Sequence, residues 1–327
     1  MNARNKIKGC SFFFFSILTL CFLPFITNAE CIGVITAGGG VDFWQHVENG
    51  AKQAGEDLKY PVVVRGPMNE SDNKSQQLII QQMVEMGCNA LVLAPNANEH
   101  IKQVEALSKT GIPVVFIDRD IGGPGISIIS TDNFEAGLLA GKEMIRQLDE
   151  SAKIAILRFS ESLNTTAERE RGFIAAIKAS KLEITVDDYI GTELTVATLN
   201  AYNILSMHPE IEGLFTPNEL TSLAALNMRK RIEAGEKITH IGFDSHPRLI
   251  EAVSTGEMEA IIIQNPFQIG YLGVEQAILA MNGQSATKVI KTPFLLVNMQ
   301  NINSTNLRNI LAGKQQQTEL ATKHQTQ

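Results

Sequence analysis

Short apolar runs alternate with longer amphipathic stretches along the chain. The first three runs cover residues 32–36, 62–64 and 91–94, and the stretches that follow them cover 43–58, 75–86 and 100–109. Continuous apolar runs of this length are typical of buried parallel strands, and the amphipathic stretches are typical of helices that cover a sheet. The alternation therefore predicts an α/β fold with a parallel sheet and helices on both of its faces.

The same alternation begins again at residue 153 and repeats the first half of the chain. The segment 50–54 precedes the apolar run at 62–64, and the segment 172–176 precedes a run at 184–186 with the same spacing. Such an internal repeat predicts two similar structural units. A chain of 327 residues is also longer than one hydrophobic core usually serves. We therefore predict two similar doubly wound parallel-sheet lobes.

Three segments lie where the elements of one lobe stop and those of the other resume. They are the strand at 126–130, the segment around Gln264 and Asn265, and a last strand at 293–297. Several crossings together form a multi-strand hinge, which restricts motion to the opening and closing of a cleft. The predicted division is 30–131 with 265–291 for the amino-terminal lobe, 132–264 with 292–305 for the carboxy-terminal lobe, and 306–327 for a polar, disordered tail.

The first 29 residues have the pattern of an export signal. Three basic residues precede an apolar segment at 11–26, and residues 27–29 offer a cleavage site. That segment has about 16 residues, fewer than the roughly 20 that a membrane-spanning helix needs, so we expect a cleaved signal. Loss of three positive and no negative charges changes the formal net charge from −7 to −10. An acidic mature chain argues against nucleic acid or an anionic membrane as the partner.

Two cysteines, Cys31 and Cys88, remain after removal of the signal. Cys31 begins the first predicted strand and Cys88 immediately precedes the third. These strands are neighbours in a doubly wound sheet of order 2-1-3, so both sulfur atoms lie at the same edge. In an oxidising compartment this arrangement predicts a disulfide. Two buried free thiols are the alternative, and two cysteines alone predict no metal site.

Polar residues directly follow four of the apolar runs. They are Asp118 and Arg119 after 113–117, Asn218 after 214–217, Asp244 after 241–243, and Gln264 after 261–263. Ligands bind beyond the carboxyl ends of the strands in open α/β sheets. Carboxylates accept, guanidinium groups donate and amides do both, so this set is suited to neutral hydroxyl groups. A surface ion pair without a ligand is the alternative for Asp118 and Arg119.

Other motifs do not predict a cofactor, a metal or catalysis. The glycines at 38–40 lack the complete spacing of a dinucleotide-binding loop. The consecutive residues Asp244, Ser245 and His246 are unable to converge as a catalytic triad. The histidines have no mutual spacing typical of a metal site. We therefore expect no cofactor and no structural metal.

The motifs taken in order resemble a known family. They are Asp118-Arg119, the segment 130–133, the segment 168–173, His208-Pro209, the segment 242–244 and Gln264. Over residues 30–300 the chain resembles the periplasmic sugar-binding proteins of the ribose-binding type, which have the type I periplasmic binding protein fold. The regulatory domains of bacterial repressors are similar, but they carry a helix-turn-helix where this chain has an export signal.

The resemblance implies a set of ligand-binding residues. Phe43 and Trp44 occupy the position of the aromatic side chains that stack on the sugar, and a place in the hydrophobic core is the alternative for each. The hydrogen-bonding residues would be Asp118, Arg119, Arg169, Asn218, Asp244 and Gln264. For Arg169 a solvated helix face is the alternative, and for Gln264 the alternative is a hinge residue that caps backbone groups. The residues at 37–41, Ala94 and Thr192 are less polar or smaller than in the ribose pattern, which predicts a ligand other than ribose.

We therefore expect a periplasmic, monomeric, non-enzymatic receptor. Its ligand would be a small polyhydroxylated molecule, such as a sugar, a deoxy or methylated sugar, a cyclitol or a furanose-like signal. The membrane partner would be an ABC importer, or alternatively a chemoreceptor or sensor histidine kinase that reads the closed form. The enzyme alternative is a secreted glycoside hydrolase with Asp118 and Asp244 as paired carboxylates. The neighbouring Arg119 disfavours it, because a cation keeps Asp118 ionised.

Overall fold

The computed structural model of the chain describes residues 30–39, 42–229 and 238–313. The predicted export signal and positions 314–327 of the predicted tail lie outside the described residues. Within these ranges, none of the helices combines the length and the apolar character that a membrane crossing requires.

The described residues contain twelve strands and ten α-helices. The strands are β1 Cys31–Ile35, β2 Val62–Arg65, β3 Cys88–Leu93, β4 Val114–Ile117, β5 Ser127–Thr131, β6 Lys153–Arg158, β7 Glu183–Tyr189, β8 Ile211–Phe215, β9 Thr239–Phe243, β10 Ala260–Ile263, β11 Val289–Thr292 and β12 Leu295–Asn298. The helices are α1 Asp42–Asp57, α2 Asn73–Glu85, α3 Ile101–Lys109, α4 Asn133–Gln147, α5 Asn164–Lys178, α6 Leu194–Met207, α7 Glu219–Arg229, α8 Pro247–Ser254, α9 Pro266–Met281 and α10 Thr305–Leu311.

The strands form two six-stranded sheets. The first has the order β11-β5-β4-β3-β1-β2 and the second the order β12-β10-β9-β8-β6-β7. Apart from β12, which is antiparallel to β10, neighbouring strands are parallel. The predicted fold class, two similar doubly wound parallel-sheet lobes, is confirmed.

The chain passes between the two sheets at three places. After β5 of the first sheet it enters α4, which packs on α5, β9 and β10 of the second lobe. After β10 it returns through α9, which packs on α1, β3, β4 and β5 of the first lobe. The last passage joins β11 to β12. Asn265 caps α9 by accepting a hydrogen bond from the Gln268 N–H at 3.2 Å, so the second passage leads directly into a helix.

The predicted polar tail begins later than residue 306. Helix α10 covers residues 305–311, and Ser304 caps it by accepting a hydrogen bond from the Leu307 N–H. Leu307 and Ile310 are buried in an apolar cluster of the second lobe, together with Leu249 and Val297. The prediction was wrong for residues 306–311 because two apolar positions, three residues apart, are enough to dock a short helix in a polar segment.

Each lobe contains a pair of helices that cross at two glycines. In the first lobe, Gly50 of α1 and Gly270 of α9 each lie against the backbone of the opposite helix; in the second, Gly137 of α4 and Gly172 of α5 do the same. A Cβ added at Gly172 would lie 2.0 Å from the carbonyl oxygen of Phe134. Gly50 and Gly172 begin the two segments that repeat in the sequence, so the repeat preserves a close helix contact.

We expect Gly172→Ala to lower the free energy of unfolding by about 1 to 3 kcal/mol or more. The added methyl group meets backbone atoms of α4, so the two helices have to move apart. Ala175→Ser, which adds one heavy atom on the exposed face of the same helix, is the matched control. Urea denaturation of both variants measures the difference, and equal midpoints would contradict the close-contact assignment.

Candidate ligand-binding site

The carboxyl ends of the strands in the two lobes face one shared cavity of about 450 Å³. Parallel strands bring the residues that follow them to the same edge of a sheet, so each lobe contributes its own set of polar side chains. All eight residues predicted to bind the ligand line this cavity: Phe43, Trp44, Asp118, Arg119, Arg169, Asn218, Asp244 and Gln264. The hypothesis that Asp118 and Arg119 form a surface ion pair is wrong, because both side chains are buried.

Asp118 and Asp244 occupy equivalent positions in the two lobes. Each follows a central strand, β4 or β9, and each has a left-handed backbone, with φ of 60° and 74°. Their N–H groups donate to the carbonyl oxygens of Ile129 and Ile262, both at 2.8 Å. A left-handed residue other than glycine costs on the order of 1 to 3 kcal/mol and is found disproportionately at functional sites. The two lobes therefore use the same strained turn to present a carboxylate.

Arg119 lies between two carboxylates of the first lobe. Its side chain forms an ion pair with Glu70, and its Nε lies 3.3 Å from Asp118 Oδ2. The guanidinium carbon lies 5.5 Å from the centre of the Trp44 ring, a cation–π contact. Arg119 Nε and Nη1 are buried and make no hydrogen bond with the described residues. Buried donors are normally hydrogen-bonded, so Nη1 is available to a ligand, whereas Nε is already ion-paired with Asp118.

Glu70 belongs to the site although it was not predicted. Its Oε1 accepts a hydrogen bond from Trp44 Nε1 at 2.7 Å. Burial alone raises the pKa of Glu70, but the Arg119 charge and the hydrogen bonds from Trp44 and Arg119 outweigh it and lower that pKa. The signal in the sequence was the polar segment 69–71 after β2, all of which lines the cavity. Trp44 therefore supports Glu70 and Arg119, and its ring contacts Phe43 edge to face, with centroids 4.9 Å apart.

Arg169 is buried in the second lobe, not on a solvated helix face as the alternative had it. Its Nε donates to Asn133 Oδ1 and its Nη1 donates to the Pro217 carbonyl oxygen, both at 2.8 Å. Its guanidinium carbon also lies 4.5 Å from the centre of the Phe243 ring. Burial lowers the pKa of Arg169, an effect that Asp244 and Asp118 oppose.

Gln264 connects the two lobes. Its Oε1 accepts from Thr131 Oγ1 of the first lobe at 2.8 Å, and its Nε2 donates to Asp244 Oδ1 of the second lobe at 2.6 Å. Asp244 Oδ2 accepts the backbone N–H of Glu219 at 2.8 Å and lies 4.0 Å from Arg169 Nη1. Burial raises the pKa of Asp244 despite these contacts. Both oxygen atoms of Asp244 are thus fixed in position before a ligand arrives.

Asn218 caps a helix and also lines the cavity. Its Oδ1 accepts hydrogen bonds from the N–H and the Oγ1 of Thr221, at 3.0 and 2.8 Å. It therefore caps the first turn of α7. Because the carboxamide oxygen has this role, the amide nitrogen is the atom that can contact a ligand without loss of the cap.

Apolar side chains also line the cavity. Besides Phe43 and Trp44, they are Met68, Phe159, Leu163, Leu194 and Leu220, and Thr192 is also among the lining residues. Among the described residues, no group of three or more His, Cys, Asp or Glu side chains is arranged to hold a metal ion. The cavity therefore combines charged, polar and apolar lining residues, an arrangement suited to a small polar molecule with an apolar face.

Comparison with known proteins gives consistent results. Residues 32–285 match the family model described as a periplasmic binding protein domain. The chain is 29% identical over 244 residues to the ribose import binding protein RbsB of Haemophilus influenzae, covering 74% of this chain and 82% of that protein. It is 28% identical over 259 residues to RbsB of Escherichia coli, covering 78% of this chain and 86% of that protein.

A solved structure extends the similarity to three dimensions. It is an ABC transporter solute-binding protein from Agrobacterium vitis with bound D-fucose. The identity is 29% and the TM-score 0.80, covering 85% of this chain and 98% of that chain.

Proposed function

The chain belongs to the periplasmic binding protein domain family, and from this premise we propose that it is an exported, non-enzymatic receptor. It closes on a small sugar or sugar-like ligand and presents that ligand to an ABC importer. The observation that carries the proposal is the convergence of eight predicted polar and aromatic residues, from both lobes, on one cavity of about 450 Å³. That volume lies within the roughly 300 to 1,000 Å³ of small-molecule sites.

The chemistry of the cavity supports a hydroxyl-bearing ligand. Arg119 offers a buried donor, Nη1, that has no partner among the described residues, and Asn218 offers an amide nitrogen. Asp118 and Asp244 supply carboxylate oxygens, which accept hydrogen bonds from hydroxyl groups. The relatives described above are named for ribose or were solved with D-fucose, which supports a sugar. Of the positions that differ from the ribose pattern, Gly39 and Thr192 line the cavity and support a ligand other than ribose, whereas Ala37 and Ala94 are fully buried and do not line it.

Closure links binding to transport. A ligand favours the closed form only by the contacts that it makes better there than in the open form. Gln264 bonds to both Thr131 and Asp244, so the hinge and the binding site share one hydrogen-bonded chain. A permease that contacts both lobes would thereby distinguish the loaded from the empty receptor. Deletion of the gene for this receptor tests the partner. Loss of uptake of the labelled ligand would support the importer. Loss of a chemotactic or transcriptional response with unchanged uptake would favour a membrane sensor.

A thermal-shift screen of sugars, deoxy sugars and cyclitols tests ligand binding. A compound that binds only the folded protein raises the melting temperature. The bound compound is then recovered and analysed, and we expect it unchanged. Release of a hydrolysis product would support the glycoside hydrolase instead. Arg119 disfavours that alternative less strongly in the structure than in the sequence, because burial raises the pKa of Asp118 although Arg119 and Arg169 oppose the shift.

We expect Asp244→Asn to weaken binding of the ligand so identified about tenfold to a hundredfold, or about 1.5 to 3 kcal/mol. The substitution removes a charge-assisted acceptor but keeps a residue type that tolerates the left-handed backbone. Calorimetric titration measures the affinity. Asp188→Asn, an exposed site in the same lobe, is the matched control. Equal affinities of the two variants would show that the ligand lies elsewhere.

A further inference from the structure

Glu219 is the first residue of α7 and lines the cavity, but no predicted role accounts for its side chain. The residue is only 7% exposed, and its Oε2 is a buried atom without a hydrogen-bond partner among the described residues. A carboxylate oxygen in this position carries an uncompensated desolvation cost. Its backbone N–H is used differently and donates to Asp244 Oδ2 at 2.8 Å.

The other charged groups do not supply a cation for Glu219. The charged side chains that face it or the same cavity are Asp42 on α1, Glu70 after β2, Asp118 and Arg119 after β4, Arg169 on α5, Glu193 at the exposed rim and Asp244 after β9. Arg119 is paired with Glu70 and Asp118, and Arg169 lies beside Asp244. Carboxyl groups therefore outnumber guanidinium groups in the cavity, and Glu219 is the buried carboxyl group without a guanidinium partner in the described part of the chain.

The environment of Glu219 also favours the neutral form of its carboxyl group when no cationic ligand is bound. Burial, together with the nearby Asp244, Asp42 and Glu70, raises the pKa of Glu219 to about 8, although the Asp42 N–H hydrogen-bonds its carboxyl group. At neutral pH the free protein thus keeps a proton on this carboxyl group. A cation brought next to Oε2 reverses the balance, because an opposite charge at short range favours the ionised carboxylate.

We propose that the ligand is a sugar or cyclitol that carries a protonated amine, and that Glu219 Oε2 receives this ammonium group. The inference rests on the proposed function and specifies its ligand class. The hydroxyl groups of the same ligand bind Asp118, Arg119 and Asp244. On binding, the Glu219 carboxyl group loses its proton to the buffer and forms a charge-assisted hydrogen bond with the ligand N–H.

Calorimetric titration with matched pairs of compounds tests the proposal. The pairs are D-glucosamine with D-glucose, D-galactosamine with D-galactose, D-mannosamine with D-mannose, and an inosamine with its parent inositol. Each titration uses the protein recovered from the periplasm of an expression host, at about pH 6.5, where such amines are mostly protonated. Two buffers with different ionisation enthalpies report the number of protons released.

We expect at least one amine to bind on the order of 10- to 100-fold more tightly than its hydroxyl counterpart. Binding should release close to one proton per ligand, and Glu219→Gln should abolish both the preference and the release. Glu212→Gln on β8 makes the same substitution at an exposed position of the same lobe and should behave as wild type. Thermal melting of both variants confirms that they are folded.

The possible outcomes separate the two proposals. A neutral compound that binds at least as tightly as its amine, without proton release, overturns the amine inference and leaves the proposed function in place. Amine binding that Glu219→Gln does not weaken overturns the role of Glu219. A folded protein that binds neither member of any pair counts against both proposals.

Discussion

Replacing Arg119 by methionine is expected to weaken ligand binding by about 2 to 5 kcal/mol, roughly thirtyfold to several-thousandfold in affinity. The variant loses the buried donor Nη1, which has no partner among the described residues. It also leaves Glu70 and Asp118 in the cavity without their cation. Uncompensated charges of this kind cost more than the loss of one hydrogen bond, so we expect a larger effect than for Asp244→Asn.

Two further variants show which property of Arg119 matters. Arg119→Lys keeps the charge but not the planar set of donors, so it should recover only part of the affinity. Arg158→Met removes the same charge from an ion pair with Glu170 and Asp187, and Arg158 itself does not line the cavity. Its affinity should equal that of the wild type. If Arg158→Met and Arg119→Met weaken binding equally, general destabilisation and not ligand contact is the cause.

The fold was predictable because its two physical signals are local in the sequence. Parallel strands buried on both faces require continuous apolar residues, as in β4 and β9, and the helices between them require an apolar stripe. The repeat was recognisable from Gly50 and Gly172, where the helix contacts leave no room for a side chain. The family resemblance is confirmed by the match over residues 32–285. Helix α10 was not predicted because its burial depends on a distant part of the chain.

The site was predictable where function follows from position at the end of a strand. Asp118, Asp244 and Gln264 each follow a buried strand directly, so the sheet alone brings them to the cavity. Glu70 and Glu219 differ, since one lies in a loop five residues beyond β2 and the other at the start of a helix. The position of these two side chains in the cavity depends on loop conformation and on the other lobe. The spacing of residues in the sequence encodes neither of these. An acidic residue at a helix start is also explained by the helix dipole alone.

Removal of the disulfide is the second large effect that we expect, a loss of about 4 kcal/mol in the free energy of unfolding. Cys31 and Cys88 are bonded in the structure, as the sequence predicted over free thiols, and they are 57 residues apart in the chain. In the chain-entropy account, a closed loop of this length restricts the unfolded chain by that amount. The double variant Cys31→Ala with Cys88→Ala, measured by guanidinium unfolding, tests the value.

Ligand affinity should change little in the same double variant. Cys31 and Cys88 begin β1 and β3, and the cavity lies beyond the carboxyl ends of those strands. The bond thus joins β1 and β3 at their amino-terminal ends, on the side of the first sheet opposite to the ligand. Treating the wild type with a reductant is the control, because it breaks the bond but keeps both buried sulfur atoms. If the double variant loses ligand affinity while its unfolding midpoint is unchanged, the disulfide acts on the binding site and not on the stability of the lobe.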